Sequence, residues 1–175
     1  AANIIERNFY AKKPNQKWTT DITEFRLFGR KVYLSPILDM YNREVISYEI
    51  SERPIMEQVN KMLKTAIDKT SNTSGIILHS DQGWQYQHTY YRATLKKHGI
   101  IQSMSRKGNC LDNSVMENFF GLLKSELLYL REFSSYEEFI DELHKYIYYY
   151  NNKRIKVKLK GMSPVEYREH SQRIA

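Results

Sequence analysis

The sequence predicts an α/β domain, a mixed five-stranded sheet with helices on both faces, and three observations carry that prediction. Apolar residues alternate or run continuously in five short segments. They recur at three- and four-residue intervals in longer ones. The order is three strands, a helix, and then strand and helix in turn. The first strand is KWTTDITEF, rich in Thr, Trp, Ile and Phe and carrying Asp21. KVYLSPILDM and REVISYEI are the next two, joined by the turn-like YNR as an antiparallel meander. From Pro54 to Lys69 the positions of Met56, Val59, Met62, Leu63 and Ile67 place a helix. GIILHSD follows as a central strand, since a short aliphatic run suits a strand covered on both faces. QHTYYRATLKKHG is a helix ended by Gly99, IIQSMS a short strand, and RKGNCLDN a polar loop. A helix resumes from Ser114 to about Leu130 with Met116, Phe119, Phe120, Leu123 and Leu127 on one side. The last helix starts near Ser135 and carries Phe139, Ile140, Leu143, Tyr146, Ile147 and Tyr150.

No internal repeat or low-complexity linker divides the 175 residues, which read as one domain with an amino-terminal extension (1–16) and a basic carboxy-terminal segment (153–175). That length buries roughly 70% of the surface an unfolded chain exposes, so the fold needs no staple. The single Cys110 excludes an internal disulfide, AANIIERNFY does not resemble a signal peptide, and no segment approaches a membrane span, which together predict a cytoplasmic protein without a membrane partner. Lys and Arg outnumber Asp and Glu by 27 to 20 and the pI is near 9.3, a balance that favours a polyanionic partner such as nucleic acid.

Against that basic background three acidic residues stand out by position. Asp21 lies within the first strand, Asp81 ends the fourth, and Glu117 sits in the first turn of a helix. In an open sheet a site forms where neighbouring strands release their chains, so Asp21 and Asp81 are expected together, with Glu117 brought across by its helix. Three converging carboxylates repel one another and favour a cation among them, and hard oxygen ligands with open positions suit Mg²⁺ or Mn²⁺. Each residue also has an ordinary structural reading. Asp21 fits a strand edge, Asp81 fits a turn cap, and SVME fits a capping box with Ser114 as N-cap and Glu117 at the third helical position. Asp112 and Asn113 fit caps of the same helix.

The blocks WTTDITEF, HSDQGWQY, SMSRKGNCLDNSVMENFFGLLKSEL and YYNNKRIKVKLKGMSPVEYR cover most of the chain from Trp18 to Arg168. Taken together they closely resemble the catalytic core of bacterial insertion-sequence transposases in the retroviral integrase superfamily. The resemblance implies a ribonuclease H-like fold and a metal-binding catalytic triad of Asp21, Asp81 and Glu117. It also implies two Mg²⁺ ions, replaceable by Mn²⁺, with Asp21 bridging both and the other two residues each holding one. The implied reaction is metal-dependent cleavage of DNA at element ends and transfer of the strand to target DNA. Relatives carry an amino-terminal helix-turn-helix region, so the resemblance predicts an excised core that self-associates in the active complex and is associated with the nucleoid.

DNA contacts are expected from basic residues around this triad. Lys124 lies two helical turns beyond Glu117 on nearly the same face, where it meets a phosphate or a base unless it is a solvated helix lysine. Arg106 and Lys107, beside Gly108, are placed to touch the target strand. If NKRIKVKLKG is extended, Lys156, Lys158 and Lys160 share one face opposite Ile155, Val157 and Leu159, either as a phosphate-contacting ribbon or as a solubilising edge. Trp84 reads first as a core side chain, with stacking on a base as the alternative. His79 reads as a structural hydrogen-bonder, and Asp39 and Glu24 as non-catalytic. The competing functions are a metal-dependent nuclease that stops at hydrolysis, a DNA-binding core without chemistry, and a tyrosine recombinase using YIYYYNNKR.

Overall fold

A computed structural model of the chain describes all residues 1–175. The first predicted strand is two strands, β1 (Lys17–Thr20) and β2 (Thr23–Leu27), separated at Asp21 and Ile22. Both pair antiparallel with the long β3 (Arg30–Asp39), β1 through Trp18↔Asp39 and β2 through Thr23↔Leu34. The other edge of β3 takes β4 (Val45–Ser51), completing the expected meander. On its outer side β1 pairs in parallel with β5 (Ile77–Ser80), and β5 in parallel with β6 (Ile101–Met104). The sheet therefore has six strands where five were predicted, because the first one breaks at the residue that carries a carboxylate.

Helices cover both faces, as the two-residue period of β3 requires. Leu34 and Leu38 pack with Phe119 and Leu123 of α4 (Ser114–Leu123) and with Phe139, Leu143 and Ile147 of α5 (Tyr136–Asn152). Ile37 points the other way, into a core with Val59, Met62 and Leu63 of α1 (Met56–Asp68). Trp18 and Leu78 share that second core with α2 (Trp84–Gln87) and α3 (Thr89–Lys97). The helix predicted for QHTYYRATLKKHG is α3, and the short α2 before it was not anticipated. His88 between them is extended, and its ring accepts the Tyr90 N–H as a cap.

Two further departures lie toward the carboxy terminus. Beyond Leu123 the helical hydrogen bonding widens into a π-helical turn over Lys124–Leu128. A sixth helix, α6 (Pro164–Arg173), was not anticipated, because it buries little apolar surface of its own and so carries no strong period. Its start is nonetheless written in SPVE: Ser163 and Glu166 form a reciprocal capping box and Pro164 occupies the first turn. The helix docks on the β3–β4 turn, where Asn42 donates to the Pro164 carbonyl and Arg168 pairs with the largely buried Glu44. No helix is long and apolar enough to cross a membrane.

Candidate active site

The parallel pairing of β1 with β5 sets the site. Lys17 faces Ile77, Trp18 faces Leu78 and Thr19 faces His79, an offset of 60 residues. The same offset carried past both strand ends sets Asp21 beside Asp81. Each is the first residue its strand releases, at the carboxyl edge where open α/β sheets form their sites. Asp21 accepts the Ile22 N–H at 2.8 Å and Asp81 accepts the Gly83 N–H at 2.8 Å, each through Oδ1. Gly83 has an ordinary φ of −54°, so glycine is there for space. A Cβ would lie 3.0 Å from Asp81 Oδ1 and 2.7 Å from Gln85 Nε2.

Glu117 arrives from α4, and its capping reading fails. Asn113 holds the N-cap position, Ser114 is already the first helical residue, and no side chain caps the N-terminus. Glu117 is exposed and makes no hydrogen bond or ion pair that would explain it structurally. Asn113 uses its side chain elsewhere: it accepts the Thr19 hydroxyl at 2.7 Å and donates to the Thr20 carbonyl at 3.3 Å, tying α4 to β1. Beside it, buried His79 contacts the Asp112 carbonyl at 2.7 Å and the Ser103 hydroxyl at 2.9 Å, tying the same segment to β5 and β6. The strand that bears Asp21 and the helix that bears Glu117 are thus joined by direct hydrogen bonds.

Burial pushes the Asp21 carboxyl up to about 7, with repulsion from Asp81 and then Glu117 adding to it and the Ile22 N–H working against it. The hydroxyl of fully buried Tyr86, near enough to Asp21 and Asp81 to feel their charge, meets no hydrogen-bond partner of good geometry. A carboxylate whose charge is disfavoured by its neighbours and a buried orphan hydroxyl both suit a divalent cation with its bound water. As the side chains stand, no three His, Cys, Asp or Glu residues are drawn together tightly enough to enclose an ion. The donor chemistry fits a hard cation, and the exposed Glu117 is the carboxylate with room to turn toward one.

Residues 11–110 match the family of the integrase core domain, and residues 117–171 match a second family of the same description. The chain belongs to the integrase core domain family. It is 56% identical over 171 residues to the "Putative transposase InsK for insertion sequence element IS150" of Escherichia coli, covering 98% of this chain and 60% of that protein. It is 52% identical to an uncharacterized transposase-like protein of Haemophilus influenzae, covering 98% and 79%. The chain thus spans about three-fifths of the first of these relatives and about four-fifths of the second. Its backbone also resembles the HTLV-2 integrase catalytic core domain solved in complex with magnesium, with a TM-score of 0.71 at 15% identity over 90% of this chain and 98% of that one. The BIV integrase catalytic core domain gives 0.64 at 19% identity, over 91% and 97%. The predicted ribonuclease H-like fold of the integrase core is what these likenesses show.

The other predicted residues of this integrase core are placed unevenly. Lys124 begins the π-helical turn, half-buried, with its amine 5.7 Å from the Phe25 ring centroid, so it is not a fully solvated lysine. Arg106 is bound: its guanidinium and backbone N–H both donate to Asp112, which also takes Arg7 and Asn3. The charge-assisted bonds to Arg106 hold the Asp112 carboxyl well below the usual carboxylate range. This node fixes the loop before α4, a role the sequence reading gave to capping. Lys107 stays exposed beside it.

The lysine ribbon does not form. Val157–Leu159 is a 3₁₀ turn closed by a Lys156↔Met162 bridge, with Lys160 left-handed at φ 56°. Lys156 turns inward over the Tyr150 ring at 4.7 Å, and Val157 is 96% exposed alongside Lys158 and Lys160. Trp84 is also reversed, at 57% exposed, directly after the Asp81 turn. Asp39 and Glu24, read as non-catalytic, have structural partners: buried Asp39 accepts the Asn15 and Tyr41 N–H groups, and Glu24 pairs with Arg26 and Lys31.

Proposed function

We propose that this chain is the catalytic core of an insertion-element transposase, in which Asp21, Asp81 and Glu117 hold divalent metal for cleavage of DNA at element ends and joining of the 3′ end to target DNA. The observation that carries the reading is the placement of Asp21 and Asp81 side by side at the ends of adjacent parallel strands, with the Asp21 carboxyl raised by burial and further by Asp81. Two ions of the magnesium class, when bound, supply the Lewis acidity that stabilises the attacking and leaving oxygens of an in-line displacement at phosphorus. The chain's own residues position and hold. Asp21 and Asp81 offer one oxygen each beyond those fixed by backbone N–H groups, on strand ends rigid enough for the geometry such ions demand. Glu117 completes the set from the other side. Lys124, on the same side of its helix, neutralises a phosphate near the reacting bond. The partners are element-end and target DNA, with copies of the protein assembling around them.

A strand-transfer assay with a pre-cleaved 3′ end, in Mg²⁺ or Mn²⁺, tests this directly. Joined product that disappears in Asp21→Asn and Asp81→Asn is the expected result. Hydrolysis without joining would assign a nuclease instead, and neither product with metal bound would assign a DNA-binding core.

A further inference from the structure

A cleft of about 1190 Å³ is lined by none of the three carboxylates. One wall is the amino-terminal segment from Arg7 to Lys12, the other is the turn from Arg154 to Leu159, and Ser114, Val115, Asn118 and Leu122 of α4 form part of the floor. At about 100° per residue those four positions lie roughly a third of a turn around the helix from Glu117, so α4 separates the cleft from the carboxylates.

Its lining is one-sided in charge and apolar in substance. Six residues are Arg or Lys, none is Asp or Glu, and 14 of the 23 are hydrophobic or aromatic. Arg7 and Arg154 are ion-paired with Asp112 and Glu126, while Lys12, Arg43, Lys156 and Lys158 form no ion pair. Arg43 is the most demanding of these: its Nη1 is buried without any hydrogen-bond partner, a cost a protein rarely leaves uncompensated. Burial also pushes the Lys156 ammonium down to about 8, so it stays largely charged at neutral pH and an arriving anion would hold its proton more firmly. Tyr10, 72% exposed, stands at the mouth and offers an unoccupied ring face.

We infer that this cleft binds an unpaired nucleic-acid strand, its phosphates on Lys12, Lys158 and Arg43 and a base against Tyr10. Cations tracking a backbone beside aromatic faces are the general means of holding a single strand, and a cleft with an apolar floor accepts a splayed base that a duplex does not present. A strand leaving the carboxylates across α4 would enter it. The inference does not depend on the metal reading, because nothing in the cleft is a proposed metal ligand.

The test is fluorescence anisotropy with a labelled oligothymidine of about 12 nucleotides, in EDTA so that metal plays no part. Lys12→Gln with Lys158→Gln, both exposed, should weaken binding about fivefold per lysine at 0.1 M salt and lower the salt slope by about 0.7 for each. Tyr10→Ala should cost about fivefold or more without changing that slope. Arg43→Gln should weaken binding too, and if it fails to fold the exposed pair still decides. Lys96→Gln with Lys97→Gln, on α3 across the sheet, should leave the affinity unchanged. Equal loss from that control pair, equal affinity for a duplex, or displacement by polyglutamate at matched charge would each overturn the assignment, the last in favour of an acidic protein segment.

Discussion

Thr19 on β1 donates its hydroxyl to Asn113 at 2.7 Å, with both residues buried. Asn is a common N-cap because its side chain ordinarily satisfies its own helix. Here it reaches back to the strand that carries Asp21, so the first turn of α4 is registered on the sheet and not on itself. Asn113→Ala leaves a buried hydroxyl unpaired and should cost about 1–3 kcal/mol in denaturant melts. The Thr19→Val, Asn113→Ala double-mutant cycle should return a coupling of about 0.5–3 kcal/mol. Strand transfer should fall further than the lost stability explains, since Glu117 moves with its helix. Additive single mutants would remove the link.

Gly83→Ala is a test of space at the same edge. The backbone at φ −54° accepts alanine, so any effect comes from the Cβ pressing on Asp81 Oδ1 and on the largely buried Gln85 amide. Overpacking of this kind costs about 1–3 kcal/mol. The expected outcome is a modest loss in melts with a larger loss in metal affinity, measured by Mn²⁺ titration, because the Asp81 turn must shift. Unchanged Mn²⁺ affinity would mean that the Gln85 amide takes up the strain and the Asp81 turn does not shift.

The pH dependence of the metal-free protein follows from Asp21. Its folded carboxyl sits near 7, above the unfolded value of 3.8, so the folded state holds the proton more tightly. Stability from this group is fully present below about pH 4 and is lost as pH rises through 7. In chelator, Asp21→Asn should therefore melt higher than the wild type at pH 8 and close to it at pH 4. Buried Asp39, raised to about 6, contributes in the same direction in both proteins and cancels from the comparison. Millimolar Mn²⁺ should stabilise the wild type, by about 2.7 kcal/mol at a hundredfold excess over Kd, and leave Asp21→Asn nearly unmoved. A wild-type melt indifferent to metal would count against the site.

What the sequence disclosed was set by how local each feature is. Asp81 after an aliphatic run and Glu117 opening an amphipathic helix are local patterns, and both stand where the sequence reading put them. The strand break at Asp21 is invisible because the apolar alternation of KWTTDITEF continues across it. Lys156 to Lys160 alternate as a ribbon would, but a bridge to Met162 folds them into a turn, and a pairing partner cannot be read from a period. Trp84 read first as a core side chain, yet it is exposed, and Tyr86 two residues on takes the core position. The Asp112 node was missed because two of its partners, Arg7 and Asn3, lie more than a hundred residues away in sequence, and only Arg106 is local.

The proposed division of labour along α4 separates a metal ligand from a DNA contact. Glu117 is exposed, caps nothing and pairs with nothing, so Glu117→Gln removes a charge and no structure. Its effect on stability should stay within about 0.5 kcal/mol, the range of an ordinary surface substitution. Cleavage and strand joining should both fall below detection, because an amide is a poor replacement for a charged oxygen ligand. Lys124→Ala differs in both respects. It removes a half-buried stem over Phe25 at the start of a π-helical turn, a feature found often at functional sites, so a loss of about 0.5–1 kcal/mol is expected in melts. Metal affinity should remain at the wild-type level, while strand transfer falls and recovers partly at higher DNA concentration, as loss of a phosphate contact requires. Melting, Mn²⁺ titration and strand transfer on the two variants decide the matter. An active Glu117→Gln would remove the third ligand from the site, and a Lys124→Ala whose defect ignored DNA concentration would show that Lys124 acts through the helix and not through DNA.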